Sequence, residues 1–175
     1  PWPVDLGSLR VAWTEDFGKR TDPALLLIMG ASAQGIQWPE SFIARLVDRS
    51  FYVIRYDNRD TGQSTCFDFA EAPYPLGDMA KDAVGLLDAY DVPRAHVAGA
   101  SMGGMIAQTL LIEHPARVRS ATIIMSSPLS GIDGGPDLPG PDPKWLENFM
   151  ALAAAPLETA EQQIEMRAQL FANLL

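Results

Sequence analysis

The chain has 175 residues, 47% of them hydrophobic and 20% charged, which allows one well-buried core and is typical of a globular protein. Its formal net charge of −9 argues against nucleic-acid or anionic-membrane partners, because both call for clustered lysine and arginine. A single cysteine, Cys66, rules out a disulfide within the chain, and no apolar run approaches the ~20 residues of a membrane span. We therefore expect a cytoplasmic protein, and the first residue, Pro1, leads us to expect that its start has been trimmed or left unseen.

Short apolar runs and amphipathic segments alternate along the first two thirds of the chain. Residues 9–15 have strand propensity and predict an edge strand, followed by a turn at 16–23. Four apolar runs predict buried parallel strands, at residues 24–29, 51–56, 95–100 and 118–125. Three segments predict helices, one starting at Pro39 and the others over residues 78–90 and 102–113. Such alternation with short joints is typical of a doubly wound, mostly parallel α/β sheet with helices on both faces.

The composition changes after residue 126. Residues 127–143 are rich in proline and glycine and predict an excursion away from the sheet. Beyond them, residues 144–155 and 157–175 predict two helices, which we interpret as the start of a helical lid. Two further layer helices are the alternative, disfavoured because no strand follows. The chain is thus divided into a core over residues 1–126 and the start of a lid over residues 127–175.

A G-x-S-x-G pattern occupies residues 99–103, where an apolar strand turns abruptly into an amphipathic helix. Such a turn strains the central residue and exposes its side chain, which here belongs to Ser101. The flanking positions must be small, since a Cβ there would collide across the turn, and Gly99 and Gly103 meet that need. Gly104 is expected to let the helix pack close to the sheet. The pattern predicts Ser101 as a nucleophile, the alternative being an incidental serine in a glycine-rich joint.

Two backbone N–H groups are candidates for stabilising negative charge beside Ser101. The first is that of Met102, at the positive end of the predicted helix. The second would come from the loop of small residues after the 24–29 strand, with Ala31 as the candidate. A plain strand-to-helix connection is the alternative for that loop.

Three segments carry a resemblance to a known family. They are Leu-Ile-Met-Gly at 27–30, Ile-Arg-Tyr-Asp-Asn-Arg-Asp-Thr-Gly-Gln-Ser at 54–64 and Gly-Ala-Ser-Met-Gly-Gly at 99–104. Together they resemble the α/β-hydrolase superfamily, and most of all its aclacinomycin methylesterase-like serine esterases. The resemblance implies Ser101 as nucleophile and Ala31 and Met102 as oxyanion donors.

The resemblance also narrows the chemistry. Many members carry His-Gly where this chain has Met29-Gly30, which disfavours a peptidase of the His-Gly-Gly-Pro-Gly type. Serine at 101 disfavours epoxide hydrolases and haloalkane dehalogenases, which need aspartate there. Asp57 and Arg59 are interpreted as structural, tying down a turn beside the site through backbone hydrogen bonds and an ion pair.

A histidine base for Ser101 is missing from this chain. His96 precedes it on the same predicted strand by about 16 Å, at ~3.3 Å per residue. His114 follows it at the far end of the helix by about 20 Å, at ~1.5 Å per residue. In the family the acid and the histidine follow later strands. We therefore expect them in a C-terminal remainder of the same protein, either a second chain or a segment not seen.

These observations predict a serine hydrolase that cleaves small-molecule carboxylic esters without a metal or organic cofactor. Met29, Gly30 and Met125 are candidate substrate-binding residues of a mainly apolar pocket. The alternatives are a related enol-lactonase, C–C bond hydrolase or cofactor-free haloperoxidase, and a non-catalytic binding protein of the same fold. A truncated module that binds a partner through its open sheet edge is a weaker possibility.

Overall fold

The computed structural model describes residues 2–4, 12–68, 70–128, 142–144, 147, 150–151 and 159–172. The chain divides into two compact units, Pro1–Ile132 and Asp133–Leu175. The boundary expected after residue 126 stays a prediction, as does the interpretation of residues 127–175 as the start of a lid.

One six-stranded sheet forms the centre of the first unit, and its strands run in the order β1-β2-β4-β3-β5-β6. The strands are β1 (Trp2–Val4), β2 (Ala12–Phe17), β3 (Ala24–Ile28), β4 (Tyr52–Tyr56), β5 (Ala95–Ala100) and β6 (Val118–Ile124). The β3–β4, β3–β5 and β5–β6 pairs are parallel, whereas the β1–β2 and β2–β4 pairs are antiparallel. The mostly parallel sheet predicted from the sequence is confirmed.

Helices cover both faces of this sheet, which explains the continuous apolar run of β3. Leu25 and Leu27 of that strand lie in one core cluster with Ile43 of α1 (Glu40–Val47). Leu26 and Ile28 lie in the opposite cluster, which holds buried side chains of α2 (Leu76–Ala89) and α3 (Met102–Glu113). A strand buried on both faces needs no alternation of polar and apolar residues. Short 3₁₀ turns at Gly35–Gln37 and Pro115–Arg117 complete the unit.

One detail of the sequence-based prediction is wrong. The strand expected at 9–15 spans Ala12–Phe17 and is no edge, because β1 pairs along its outer side. The last strand is an apolar run typical of a buried strand, yet it is largely exposed, as expected for an open sheet edge, and β5 is its one strand neighbour within the described residues. In the first helix Phe42 is 39% exposed and stacks on Trp38, while Ile43 is buried.

The second unit is described mainly through one helix, α4 (Ala160–Ala172), which falls within the predicted 157–175 helix. Much of the helix predicted at 144–155 and most of the segment 127–143 lie outside the described residues. Among the helices that the structure describes, none combines the length and apolar character needed to cross a bilayer. The cytoplasmic location stays a prediction.

Candidate active site

The turn from β5 into α3 places Ser101 in an unusual backbone conformation. Its φ of 54° and ψ of −122° are strained for a residue with a side chain, and the side chain is exposed. The Ser101 N–H donates to the Ile124 carbonyl at 2.9 Å, and the Ser101 carbonyl accepts the Gly104 N–H at 2.8 Å. The strain is therefore held from both sides, by the neighbouring strand and by the first turn of the helix.

Glycine is required at several positions of this turn. A Cβ on Gly99 would collide with the Gly103 carbonyl and lie 2.7 Å from the Gly104 nitrogen. A Cβ on Gly103 would collide with the Ile28 carbonyl at the end of β3. These are backbone atoms, which have little room to move away. The two glycines thus let β5, α3 and the end of β3 approach one another closely.

The loop after β3 lies directly against Ser101. A Cβ built on Gly30, which is buried, would be 3.1 Å from the Ser101 Cβ. Asn58 is 2% exposed, and its amide donates to the Met29 carbonyl at 2.9 Å. The loop then turns through Ser32, whose φ is 56°. Sequence reasoning missed this use of Asn58, although the residue stands within the segment 54–64.

A cavity of about 290 Å³ lies beside these elements, and Ala31 and Met102, the residues of the two candidate oxyanion donors, are part of its lining. Its lining residues are Ala31, Ser32, Arg59, Asp60, Thr61, Tyr74, Leu76, Met79 and Met102. None of the three predicted substrate-binding residues is among them, and neither is Ser101. Met29 packs against a core cluster, Gly30 touches Ser101, and Met125 is 84% exposed with a φ of 45°. A substrate-binding role for these three stays a prediction.

One wall of the cavity is organised by Arg59. Its guanidinium makes two hydrogen bonds to the Asp82 carboxylate, at 2.7 and 2.8 Å, and lies 4.4 Å from the centroid of the Tyr74 ring. Burial is the largest single influence on the pKa of Arg59 and lowers it, but the hydrogen bonds to Asp82 and the negative charges of Asp82 and Asp78 together outweigh burial and raise this pKa. In Asp82, by contrast, burial disfavours the charged form and raises the pKa of the carboxyl, and Arg59 opposes this rise. Because the Asp82 carboxylate neutralises its charge, the Arg59 guanidinium has a structural role in the cavity wall.

Tyr74 completes this wall by a hydrogen bond between its hydroxyl and the Asp60 carboxylate. Burial, and then the bond to Asp60, raise the pKa of Tyr74 to about 12, so the phenol is neutral in ordinary buffers. No periodic pattern in the sequence predicts this wall, because the wall joins α2 to two loops through single polar contacts.

Asp57 has the role that the sequence predicted. Its carboxylate accepts the backbone N–H groups of Gly35 at 2.7 Å and Gln63 at 3.1 Å. Ser64 Oγ donates to the Asp57 carbonyl at 2.7 Å and accepts the Trp13 N–H at 3.0 Å. These bonds tie the 57–64 segment to β2 and to the start of the 3₁₀ turn. The expected ion pair of Arg59 is also confirmed, with Asp82 as its partner.

Both histidines have structural surroundings. His96 Nδ1 lies 2.8 Å from Ser120 Oγ on β6, and its ring meets the Phe51 ring edge-on. His114 follows the last residue of α3, and its backbone N–H donates to the Leu110 carbonyl at 2.9 Å. Ser101 stands at the opposite end of both elements. In the part of the chain that the structure describes, no cluster of three metal-binding side chains comes together.

Comparison with known proteins decides the family. The family model for the alpha/beta hydrolase fold matches residues 23–174. The chain belongs to the α/β-hydrolase family. Its sheet order and the position of the serine turn between β5 and α3 therefore belong to a fold shared with many hydrolases.

Individual α/β-hydrolases resemble the chain to different extents. It is 37% identical over 169 residues to rhodomycin D methylesterase DnrP of Streptomyces peucetius, a match that covers 90% of this chain and 56% of that protein. It is 32% identical over 107 residues to 3-oxoadipate enol-lactonase 2 of Acinetobacter baylyi, covering 61% and 38% respectively. The crystal structure of a hydrolase from Pseudomonas aeruginosa PA01 superimposes with a TM-score of 0.63 at 29% identity, covering 83% of this chain and 49% of that one. The chain spans about half the length of the first of these relatives.

Proposed function

We propose that a protein containing this chain hydrolyses carboxylic esters, with Ser101 as its nucleophile. The observation that carries the proposal is the strained, exposed Ser101 at the head of α3, packed against a loop of small residues. A strained serine is costly to maintain and recurs at functional sites. The resemblance to a methylesterase supports an ester as substrate, and a methyl ester is the first to test.

In the proposed reaction, Ser101 Oγ attacks the ester carbonyl carbon while a histidine takes the serine proton. The carbonyl oxygen becomes an oxyanion, which the N–H groups of Met102 and Ala31 stabilise from the edge of the cavity. The histidine then gives the proton to the departing alcohol, which leaves an acyl-serine. Water, activated by the same histidine, releases the acid and restores the serine.

The histidine and its orienting carboxylate are proposed to come from sequence outside these 175 residues. His96 precedes Ser101 by five positions along the strand, about 16 Å at ~3.3 Å per residue, which is beyond the reach of a proton transfer. The chain's 56% share of its methylesterase relative leaves room for both groups. No metal or organic cofactor enters the proposal, and the net charge of −9 supports a small-molecule substrate over a nucleic acid.

The cavity gives the proposal a substrate profile. Leu76, Met79 and Met102 supply apolar surface to the lining, whereas Asp60 and Tyr74 supply polar groups. Its volume of about 290 Å³ is near the lower end for small-molecule sites. An uncharged ester with a compact apolar part and a hydroxyl or carbonyl substituent would fit these walls.

The test uses the full-length protein, a fluorophosphonate probe and intact-mass spectrometry. We expect one probe adduct, located on Ser101 by peptide mapping, and no adduct in Ser101→Ala. Ser41→Ala, which removes an exposed hydroxyl from α1, is the matched control and should label like the wild type. Absence of labelling in the wild type would contradict the proposal and favour a non-catalytic binding protein of the same fold.

A lactonase is the second candidate, favoured by the 32% identity to an enol-lactonase. A lactone is an internal ester, so the same groups would act on it. Comparing kcat/KM for methyl esters and for enol-lactones of similar size distinguishes the two. A preference of more than tenfold for the lactones would replace the methyl ester as the proposed substrate.

A further inference from the structure

Ser126, which follows β6, holds the backbone of Ser101 through a further hydrogen bond. Ser126 Oγ donates to the Ser101 carbonyl at 2.7 Å, beside the bond from the Gly104 N–H and a longer one, 3.4 Å, from the Met105 N–H. Two residues earlier, the Ile124 carbonyl accepts the Ser101 N–H. Ile124 at the end of β6 and Ser126 just after it therefore hydrogen-bond to both polar groups of the Ser101 backbone.

The Ser101 carbonyl and the Met102 N–H are the two ends of one peptide group, which is planar. A donor at the carbonyl fixes the direction in which the N–H points. It also polarises the peptide, so that the N–H becomes a stronger donor, as in any chain of hydrogen bonds. A hydroxyl that donates to the Ser101 carbonyl thus affects the Met102 N–H, the group that is proposed to bind the oxyanion.

Two neighbouring residues are adapted to this contact. A Cβ on Gly104 would lie 2.6 Å from the Ser126 Cβ and 2.7 Å from its Oγ, so glycine at 104 leaves the space that Ser126 occupies. Met125 has a φ of 45°, a conformation that is costly for a long side chain, and Ser126 follows directly. The sequence predicted that Gly104 lets the helix pack close to the sheet, and in the structure Gly104 also leaves space for the Ser126 side chain.

We propose that Ser126 is a positioning residue for ester hydrolysis, whose hydroxyl orients and polarises the Ser101–Met102 peptide toward the oxyanion. This inference rests on the proposed function of Ser101. It concerns the transition state and the tetrahedral intermediate, because the bound ester itself carries no oxyanion.

Ser126→Ala should lower kcat by about five- to tenfold with little change in KM, as expected for one neutral hydrogen bond that acts through another group. Removing an oxyanion donor outright costs about 10²- to 10³-fold, so a smaller loss is the mark of an indirect role. The carbonyl keeps its two helix donors in this variant, and the fold is expected to survive. Ser126→Thr keeps a hydroxyl and should recover most of the lost activity.

The experiment measures kcat and KM of the full-length protein on an activated ester, together with affinity for a boronic acid that mimics the tetrahedral oxyanion. Ser126→Ala should weaken boronic-acid binding by the same factor as kcat, while binding of the product acid stays unchanged. Ser127→Ala, which removes the adjacent exposed hydroxyl, is the control and should match the wild type.

Three results would overturn the inference: an unchanged kcat in Ser126→Ala, a change confined to KM, or equal losses in the alanine and threonine variants. Failure of the underlying function has a different signature. A wild-type protein that neither turns over esters nor reacts with a fluorophosphonate removes the role of Ser101, and that of Ser126 with it.

Discussion

Gly103→Ala tests the close packing at the serine turn, and Gly77→Ala provides its matched control. Both glycines are in helices, so alanine should add up to about 1 kcal/mol of helix stability at either position. At 103 the new Cβ would collide with the Ile28 carbonyl and lie 2.8 Å from the Met29 carbonyl oxygen, below the 3.0 Å that real Cβ atoms keep. At 77 the nearest atoms are those of the flexible Glu113 carboxylate, at 3.3 Å or more.

Because the neighbours of Gly103 are backbone atoms, relief requires that α3 and the end of β3 move apart. Forcing an extra carbon into a well-packed site costs about 1–3 kcal/mol, and more where backbone must shift, so we expect a net destabilisation of about 2 kcal/mol. The displaced elements carry both candidate oxyanion donors, and a loss of about tenfold or more in kcat/KM should accompany it. Gly77→Ala should gain about 0.5–1 kcal/mol and keep full activity.

Urea unfolding of the full-length protein, followed by circular dichroism, gives the two stability changes relative to the wild type. Ester turnover under the same conditions gives the activities. If Gly103→Ala proved as stable and active as Gly77→Ala, the space around the turn would be looser than the structure indicates. The reasoning from backbone contact would then be refuted.

Three other predictions concern the walls around the cavity. Asp82→Asn should destabilise the protein by about 3–5 kcal/mol, because it leaves the Arg59 charge buried without its partner; a smaller shift in the urea midpoint than Lys81→Gln produces would contradict this. Tyr74→Phe should remove a phenolate absorbance step near pH 12. The stability of the wild type should fall as the pH rises from 10 toward 12, since the Tyr74 hydroxyl loses its proton at lower pH in the unfolded chain than in the folded protein. Equal stability profiles against pH for the two proteins would contradict this prediction. Asn58→Leu should lower kcat by about tenfold, because the Met29 carbonyl loses its hydrogen-bond donor and the loop after β3 is released. An unchanged kcat would show that this loop keeps its position without the bond from Asn58.

The sequence predicted those elements whose own residues form an apolar or amphipathic pattern. Ala95–Ala100 and Met102–Glu113 have the bounds expected from an apolar run, a glycine-rich joint and an amphipathic segment. The parallel sheet followed from the same alternation. Where a short run is flanked by turn residues, burial leaves little choice of structure.

What the local pattern could not show has a different physical cause. The strand Trp2–Val4 has three residues and forms by pairing with β2, so its own sequence carries almost no pattern. The burial of Val118–Ile124 depends on which strand lies beside it, so the apolar run alone does not distinguish a covered strand from an open edge.

The partners of single contacts between distant residues were also hidden. Arg59 pairs with Asp82, 23 residues away, and Ser126 donates to Ser101, 25 residues before it. No local period encodes these partners, because each depends on which segments the completed sheet brings together.

The strained backbones around Ser101 carry a lesson for engineering. Ser32, Asp60, Ser101 and Met125 all have positive φ values, and all lie in or next to the elements that build the site. A library selected for heat resistance alone would favour glycine at these positions, where it relaxes the chain at no steric cost. Such variants would survive the selection with a loosened turn or, at position 101, without the proposed nucleophile, so a screen for heat resistance should measure turnover in every round.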